Sequence, residues 1–224
     1  MEPRPRGYLG NEVHVRPLPR LHAVTDHAVL ALPDFGVRAA ALASAGPAVA
    51  LHARDRNATG AALTAAAEHM LTLTRPPEAA VFVNGRPDIA AAIAAQGVQL
   101  GLADLAPVDA RIVLGDRWAG WVGVSVHSEA EADSAVEAGA DYLVVGTIYP
   151  TASHPGYQGA GTGLIRRVAK LGKPVIAIGG VTPDRVADLC EAGAYGVAAI
   201  SSAWHAKDPA AAAIALLAPW MEPA

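Results

Sequence analysis

Short apolar runs alternate with alanine-rich stretches from residue 21 to the end of the chain, and this alternation restricts the possible folds most strongly. The runs are rich in β-branched residues and nearly continuous, the pattern of parallel strands that are covered on both faces. We therefore predict eight strands. They are LHAVTD, AVALHAR, AAVFVNG, GVQLG, WVGVSVH, YLVVGTIY, PVIAIGG and GVAAISS.

The stretches between these runs carry the start and stop signals of helices. Several begin with a capping residue or an early proline and end in glycine. About eight β–α units in roughly 200 residues predict a single-domain (β/α)8 TIM barrel, with an open doubly wound sheet as the alternative. We expect the barrel to cover residues 21–224 and residues 1–20 to form a loosely ordered N-terminal arm or an extended segment over the body.

Composition excludes several classes of protein. Apolar residues make up 52% of the 224 residues and charged residues 17%, with a formal net charge of −4. This balance gives no sign of a nucleic-acid-binding surface, and no apolar run reaches the roughly 18 residues that span a bilayer. The single cysteine, Cys190, cannot form an internal disulfide. We expect a cytoplasmic protein that binds neither nucleic acid nor a membrane.

Active sites of such barrels lie at the C-terminal ends of the strands, where the connecting loops meet. Polar residues follow the predicted strands at this end, whereas the opposite ends carry little that could do chemistry. We predict that these side chains bind substrate: His52, Arg54, Arg56, Asn84, Asp104, Ser125, Thr147, Thr151 and Ser153.

The last two predicted strands end in a pattern that favours a bound phosphate. Gly179 and Gly180 offer bare backbone amides after the seventh strand, and Ser201 and Ser202 offer hydroxyls after the eighth. Loops at these two places frequently hold a phosphate in barrels. The stretch GTIYPTASHPGYQGAGTG, residues 146–163, is predicted to be a lid over the ligand, with an ordinary long surface loop as the alternative.

Taken together and in order, eight motifs resemble one family, the thiamine phosphate synthases and their sister group, the TenI-type thiazole tautomerases. The resemblance covers roughly residues 21–210 and implies a thiazole phosphate ligand and a role in making the thiazole half of thiamine. The motifs are LHAVTD, LHARDR, VNGRPDIA, VQLG, VGVSVHS, GADYLVVGTIYPT, IAIGGVTPD and VAAISS.

The two groups within the family differ in their need for Mg²⁺. The resemblance implies that a synthase holds the ion with an aspartate in an ND-like element after strand three and another in a GQED-like element after strand four. Here the first element is NGR, with Gly85 at the ligand position, and the second is GLAD, which keeps only Asp104. The resemblance also implies a lysine after the PTAS element of a synthase, and this chain has His154 there. We therefore expect no metal and no cofactor.

Where the motifs of this chain differ from those of the synthases, they resemble those of the tautomerases. HARDR begins with a histidine, VQLG replaces the synthase-like VHLG, and SVHS supplies His127 at the position of the tautomerase proton shuttle. The reaction implied moves a proton from the ring carbon that bears a carboxylate to the side-chain carbon of an exocyclic double bond, which makes the thiazole aromatic. Imidazole, with an ordinary pKa of about 6.5, suits both halves of this transfer.

This comparison leaves three hypotheses. The first is a tautomerase in which His127 is catalytic and Arg54, Arg56 or Asn84 meets the carboxylate. In this hypothesis the phosphate is held by Gly180, Ser201, Ser202 and the predicted lid. The second is a synthase with an altered Mg²⁺ site, because the two arginines survive. The third is a regulatory protein that binds the phosphate ligand without turnover.

Some aromatic and histidine residues are expected to be structural. We predict structural roles for His14, His22, His27, His69 and His205, whereas His52 either contacts the ligand or is a satisfied polar residue in the barrel mouth. Four tryptophans leave room for a homodimer surface or for burial in the barrel shell: Trp118, Trp121, Trp204 and Trp220.

Overall fold

Eight parallel strands close into a barrel in the computed structural model, which describes residues 16–74, 78–151, 156 and 158–221. Each strand pairs with its neighbour in sequence, and the first pairs with the last, as Leu21 opposite Val197 shows. The single-domain (β/α)8 barrel is confirmed. The strands are β1 (Leu21–Val24), β2 (Val49–Ala53), β3 (Ala80–Asn84), β4 (Gly97–Leu100), β5 (Trp121–Val126), β6 (Tyr142–Val145), β7 (Val175–Ile178) and β8 (Gly196–Ala199).

Helices surround this barrel. They are α1 (His27–Leu30), α2 (Phe35–Ala43), α3 (Gly60–Leu73), α4 (Pro87–Ala92), α5 (Pro107–Leu114), α6 (Glu129–Glu137), α7 (Thr162–Val168), α8 (Val186–Glu191), α9 (Ser201–Trp204) and α10 (Pro209–Met221). Ser128 and Thr59 cap α6 and α3 by accepting backbone N–H groups, as their sequence positions predict. In the described part of the chain, no helix is long and apolar enough to cross a membrane.

Alternation along each strand separates the barrel interior from the helical shell. In β3, Phe82 lies in the interior cluster, whereas Val81 and Val83 belong to the outer core beneath the helices. Two glycines make room for large interior rings. A Cβ on Gly97 would lie 2.4 Å from the Phe82 ring, and one on Gly123 would lie 2.1 Å from the ring of Tyr142. These glycines are required by close approach, and the barrel is filled rather than hollow.

Residues 18–20, at the end of the predicted N-terminal arm, pack beneath the barrel. Leu18 is buried in the interior cluster. The backbone of Arg20 donates to the carbonyl of Ala48, the residue before β2, and accepts from Val197 in β8. This part of the arm therefore closes the N-terminal end of the barrel, while residues 1–15 lie outside the described residues.

All four tryptophans contact other parts of the chain, and none of them is fully exposed. Trp204 is fully buried and stacks on Phe35 with ring centroids 5.3 Å apart. The other three are partly buried, and each donates its indole N–H to a backbone carbonyl: Trp118 to Ala95, Trp121 to Arg16 and Trp220 to Ala194. A homodimer stays a prediction.

Candidate functional site

The C-terminal end of the barrel carries the predicted site residues because every strand ends there. Of the predicted set, Ser153 lies outside the described residues, as does most of the expected lid, residues 152–155 and 157. Thr147 is buried just beyond β6, and Thr151 is half-buried further along. The remaining side chains are described in the groups that they form.

His127 stands exposed just beyond the end of β5, and two contacts fix it. Its backbone N–H donates to the Glu131 carboxylate at 2.6 Å, and its Nδ1 lies 2.5 Å from the carbonyl oxygen of Gly146. Because a carbonyl oxygen only accepts, Nδ1 carries the hydrogen in this contact. Neutral His127 therefore has its basic lone pair on Nε2, the ring nitrogen that takes no part in this contact.

His52 is only 1% exposed and lies inside the barrel rather than on its surface. Its Nε2 lies 2.8 Å from Nδ1 of His22, and its own Nδ1 lies 2.9 Å from the side-chain oxygen position of Asn84. Burial lowers the pKa of His52 to about 4, and Arg54 adds to this effect. Burial and the neighbouring His52 also hold the pKa of His22 well below its usual range. His52 thus contacts Asn84 from inside the barrel, and its contact with a ligand stays a prediction.

Arg54 provides positive charge at the mouth. Its pKa is lowered by burial and by the charge of Arg56, while Asp26 and Asp55 oppose this effect. No residue in the described ranges forms a hydrogen bond or an ion pair with the Arg54 guanidinium. Asp55 is instead engaged by His27, with 2.9 Å between Oδ2 and Nδ1. A half-buried guanidinium without a bonded carboxylate can bind an anionic group of a ligand.

Asp104 and Gly85 occupy the places where the family resemblance implies two Mg²⁺ ligands. Oδ2 of Asp104 accepts the Gly101 amide at 2.7 Å and lies 3.3 Å from the point where a Cβ on Gly85 would stand. The two positions do face each other, but one of them carries no side chain. A hard dication prefers several oxygen ligands, and among the described residues no cluster of three His, Cys, Asp or Glu could hold a metal. The residues present do not fit the implied ion.

The two glycines after β7 have left-handed backbone angles, with φ of +98° at Gly179 and +63° at Gly180. A Cβ on either would clash with the segment after β6, at 2.4 Å from Thr147 and 2.6 Å from the Pro150 carbonyl. Packing therefore already requires both glycines. Within the described ranges, no group accepts their backbone N–H groups, which leaves these amides available to an anion.

The two serines after β8 differ from each other. Ser201 begins α9 and is exposed, so its hydroxyl is open to a ligand. Ser202 donates its hydroxyl to the Val181 carbonyl at 2.7 Å and so joins the loops after β7 and β8. The predicted strand ran through both residues, but β8 ends at Ala199 because the chain turns into α9.

Two further residues lie near the site, although the sequence analysis gave neither of them a role there. Gln99, inside the barrel on β4, donates to Ser125 Oγ at 3.0 Å. Arg185 donates to the Gly180 carbonyl at 2.6 Å and lies over the Tyr149 ring, 4.6 Å from its centroid. The alternation of side chains along a strand predicts that Gln99 lies on the interior face. Arg185 ends the TPDR segment, which is separated from the end of β7 by three residues.

Comparison with known proteins identifies the family of this chain. The family model described as thiamine monophosphate synthase matches residues 21–203. A thiamine-phosphate synthase of Thermus thermophilus is 40% identical over 178 residues, which cover 79% of this chain and 84% of that protein. One of Salinispora arenicola is 40% identical over 204 residues, covering 89% and 96%.

A solved structure shows the same relationship. The thiamine phosphate pyrophosphorylase from Pyrococcus furiosus has 30% sequence identity and a TM-score of 0.74, with 88% of this chain and 93% of that chain covered. The matched region spans all eight strands and reaches into α9. This chain belongs to the thiamine monophosphate synthase family.

Proposed function

We propose that this protein is a thiazole tautomerase, which isomerises the non-aromatic thiazole carboxylate phosphate to its aromatic tautomer in thiamine biosynthesis. The contact between His127 and Gly146 carries the proposal, because it leaves the Nε2 lone pair at the mouth of the barrel, where no residue of the described ranges engages it. A proton transfer between two carbons of one substrate needs one such base and no other reactant.

The reaction requires His127 to act twice. Nε2 takes the proton from the ring carbon that bears the carboxylate, and the two electrons of that C–H bond move into the ring. The exocyclic double bond breaks as the ring becomes aromatic, and its electron pair passes to the side-chain carbon, where the imidazolium returns the same proton. The Gly146 carbonyl accepts from Nδ1 throughout, so it stabilises the imidazolium and holds the ring in one orientation.

Binding must place both substrate carbons within reach of one imidazole. Arg54 supplies positive charge for the carboxylate, because its guanidinium has no hydrogen-bonded or ion-paired partner within the described ranges. The amides of Gly179 and Gly180 and the exposed hydroxyl of Ser201 are suited to the phosphate. Held at both ends, the substrate loses little further freedom as the proton moves.

The second candidate is a thiamine phosphate synthase with an altered metal site. The names of the relatives, which are thiamine-phosphate synthases at 40% identity, favour it, and both arginines after β2 would suit a diphosphate. The glycine at position 85 is evidence against a synthase, since the carboxylate expected beside Asp104 is missing.

One pair of assays distinguishes these candidates. The purified protein is treated with EDTA and given the non-aromatic thiazole carboxylate phosphate, and the ultraviolet change on aromatisation is followed. A parallel sample receives thiazole phosphate, pyrimidine diphosphate and Mg²⁺. We expect turnover in the first assay alone. Turnover in the second alone would establish the synthase, and binding of thiazole phosphate without turnover in either assay would establish a regulatory binding protein.

A further inference from the structure

We propose that two buried chains of hydrogen bonds determine which side chains at the mouth donate and which accept. Each chain begins at a backbone carbonyl, which can only accept. As a result, Asn84 accepts hydrogen bonds from the ligand and Ser125 donates them. This inference rests on the proposed function only in taking the mouth as the ligand site. Both side chains come from interior-facing positions at the ends of β3 and β5.

The first chain begins at the Pro19 carbonyl beneath the barrel. Nε2 of His22 lies 3.0 Å from this oxygen, and because a carbonyl only accepts, Nε2 carries the hydrogen. Neutral His22 must then accept at Nδ1, which lies 2.8 Å from Nε2 of His52. Nε2 of His52 is therefore the donor, and Nδ1 of neutral His52 is an acceptor.

This order determines the orientation of Asn84. The Asn84 amide lies 2.9 Å from the accepting Nδ1 of His52, so the group at that position must be the NH2 rather than the oxygen. The two ends of an amide have nearly the same shape, and the hydrogen-bond network decides between them. The carbonyl oxygen of Asn84 then takes the other position, where no group in the described ranges contacts it through a hydrogen bond.

Both histidines must be neutral for this argument, and their surroundings keep them so. His22 is fully buried and His52 is 1% exposed, and burial lowers the pKa of both rings, that of His52 to about 4. The rings pack against Phe82 and Tyr142, with centroid distances of 5.1 to 5.5 Å. The nearby charge of Arg54 further opposes a second positive charge at His52.

The second chain begins at the Leu100 carbonyl. The side-chain nitrogen of Gln99 lies 3.3 Å from this oxygen and 3.0 Å from the hydroxyl oxygen of Ser125. The carbonyl requires the NH2 at this end of the Gln99 amide, so Ser125 accepts from Gln99. Its own hydrogen has no acceptor within the described ranges and is available to a ligand.

The mouth therefore presents a defined arrangement of hydrogen-bond donors and acceptors to the ligand. An anionic group of the ligand is repelled by the Asn84 carbonyl oxygen and is matched by the Ser125 hydroxyl and the Arg54 guanidinium. This removes Asn84 from the three residues that the sequence proposed for the substrate carboxylate and leaves the arginines. His22 and His52 are positioning residues, since they act on the ligand only through Asn84.

Nuclear magnetic resonance of the protein labelled with ¹⁵N-histidine tests the chain directly and needs no substrate. Long-range ¹H–¹⁵N correlations report which ring nitrogen is protonated, and His22→Gln and His52→Gln assign the signals. At neutral pH we expect both rings to be neutral with the hydrogen on Nε2. A hydrogen on Nδ1 of His52 would overturn the proposal, whether or not the protein is a tautomerase.

A substitution at the mouth provides a second test. Asn84→Asp replaces the donor by a carboxylate that can only accept, so His52 should gain a hydrogen on Nδ1. The control Asn57→Asp adds the same charge at an exposed loop position after β2 and should leave the His52 signals unchanged. A His52 ring that keeps its Nδ1 unprotonated in a folded Asn84→Asp protein would contradict the proposal, and if that variant does not fold, the wild-type spectrum decides.

Discussion

Asp104 directs a carboxylate oxygen at Gly85, 3.3 Å from the point where a side chain there would begin. In the thiamine phosphate synthases that the motifs resemble, the position of Gly85 is expected to carry an aspartate that binds Mg²⁺ together with the position of Asp104. The backbone at Gly85 has φ of +70°, a conformation that glycine adopts freely and that asparagine and aspartate tolerate better than most residues. The structure thus keeps the geometry of a pair of carboxylates and lacks one of them.

Restoring the missing carboxylate should create a response to Mg²⁺. Gly85→Asp and its uncharged control Gly85→Asn share a backbone cost of about 1–3 kcal/mol. The aspartate variant should be the less stable of the two without metal, because two carboxylates then face each other. Millimolar Mg²⁺ should raise the melting temperature of Gly85→Asp and not that of Gly85→Asn or the wild type. Equal behaviour of the two variants would show that these positions do not form an ion site.

Arg54 and Arg56 provide a matched pair for testing the anion site. Arg54 is half-buried, whereas Arg56 is exposed to solvent. Arg54→Gln should weaken binding of the aromatic thiazole carboxylate phosphate by about ten- to a hundredfold, the cost of a lost charged hydrogen bond, and Arg56→Gln should weaken it much less. Isothermal titration calorimetry measures both affinities. The reverse order would move the carboxylate site to Arg56.

Substitutions at Ser201 and Ser202 should have different effects, one on ligand binding and the other on stability. Ser202→Ala removes the hydrogen bond to the Val181 carbonyl and should lower the free energy of unfolding by about 1 kcal/mol. Ser201→Ala should leave that free energy unchanged and reduce affinity for the phosphate ligand, since Ser201 is exposed at the start of α9. Urea denaturation and ligand titration measure the two effects. A Ser201→Ala protein with unaltered affinity would remove this hydroxyl from the phosphate site.

The buried histidines should make stability depend on pH. Unfolded histidine has an ordinary pKa of about 6.5, whereas that of folded His52 is about 4 and that of His22 is also lowered. Between these values the unfolded chain binds more protons, so the free energy of unfolding falls as pH decreases from 6.5 towards 4. The slope should be about 1.4 kcal/mol per pH unit for each histidine.

Urea denaturation at pH 7, 6 and 5 measures this slope. His52→Gln removes one of the two groups and should flatten the dependence. His69→Gln, an exposed helical position, should not change it. If the His52→Gln slope equals the wild-type slope, the buried ring does not titrate as described.

The sequence predicts the fold well because the signal for a parallel barrel is repeated eight times along the chain. It also places His127 at a strand end, since the apolar run before it stops at Val126. It does not predict the contact with Gly146, which depends on how the backbone turns after the neighbouring strand. The chain from His22 to Asn84 is equally hidden, because it joins residues 30 and 32 positions apart across three strands.

The most direct test of the central claim is the rate at which metal-free protein aromatises the thiazole carboxylate phosphate, compared between the wild type, His127→Gln and His69→Gln. A general acid–base group contributes about 10²- to 10⁴-fold, so we predict that His127→Gln loses that much activity while His69→Gln keeps the wild-type rate. A His127→Gln protein that converts the substrate as fast as the wild type would contradict the account.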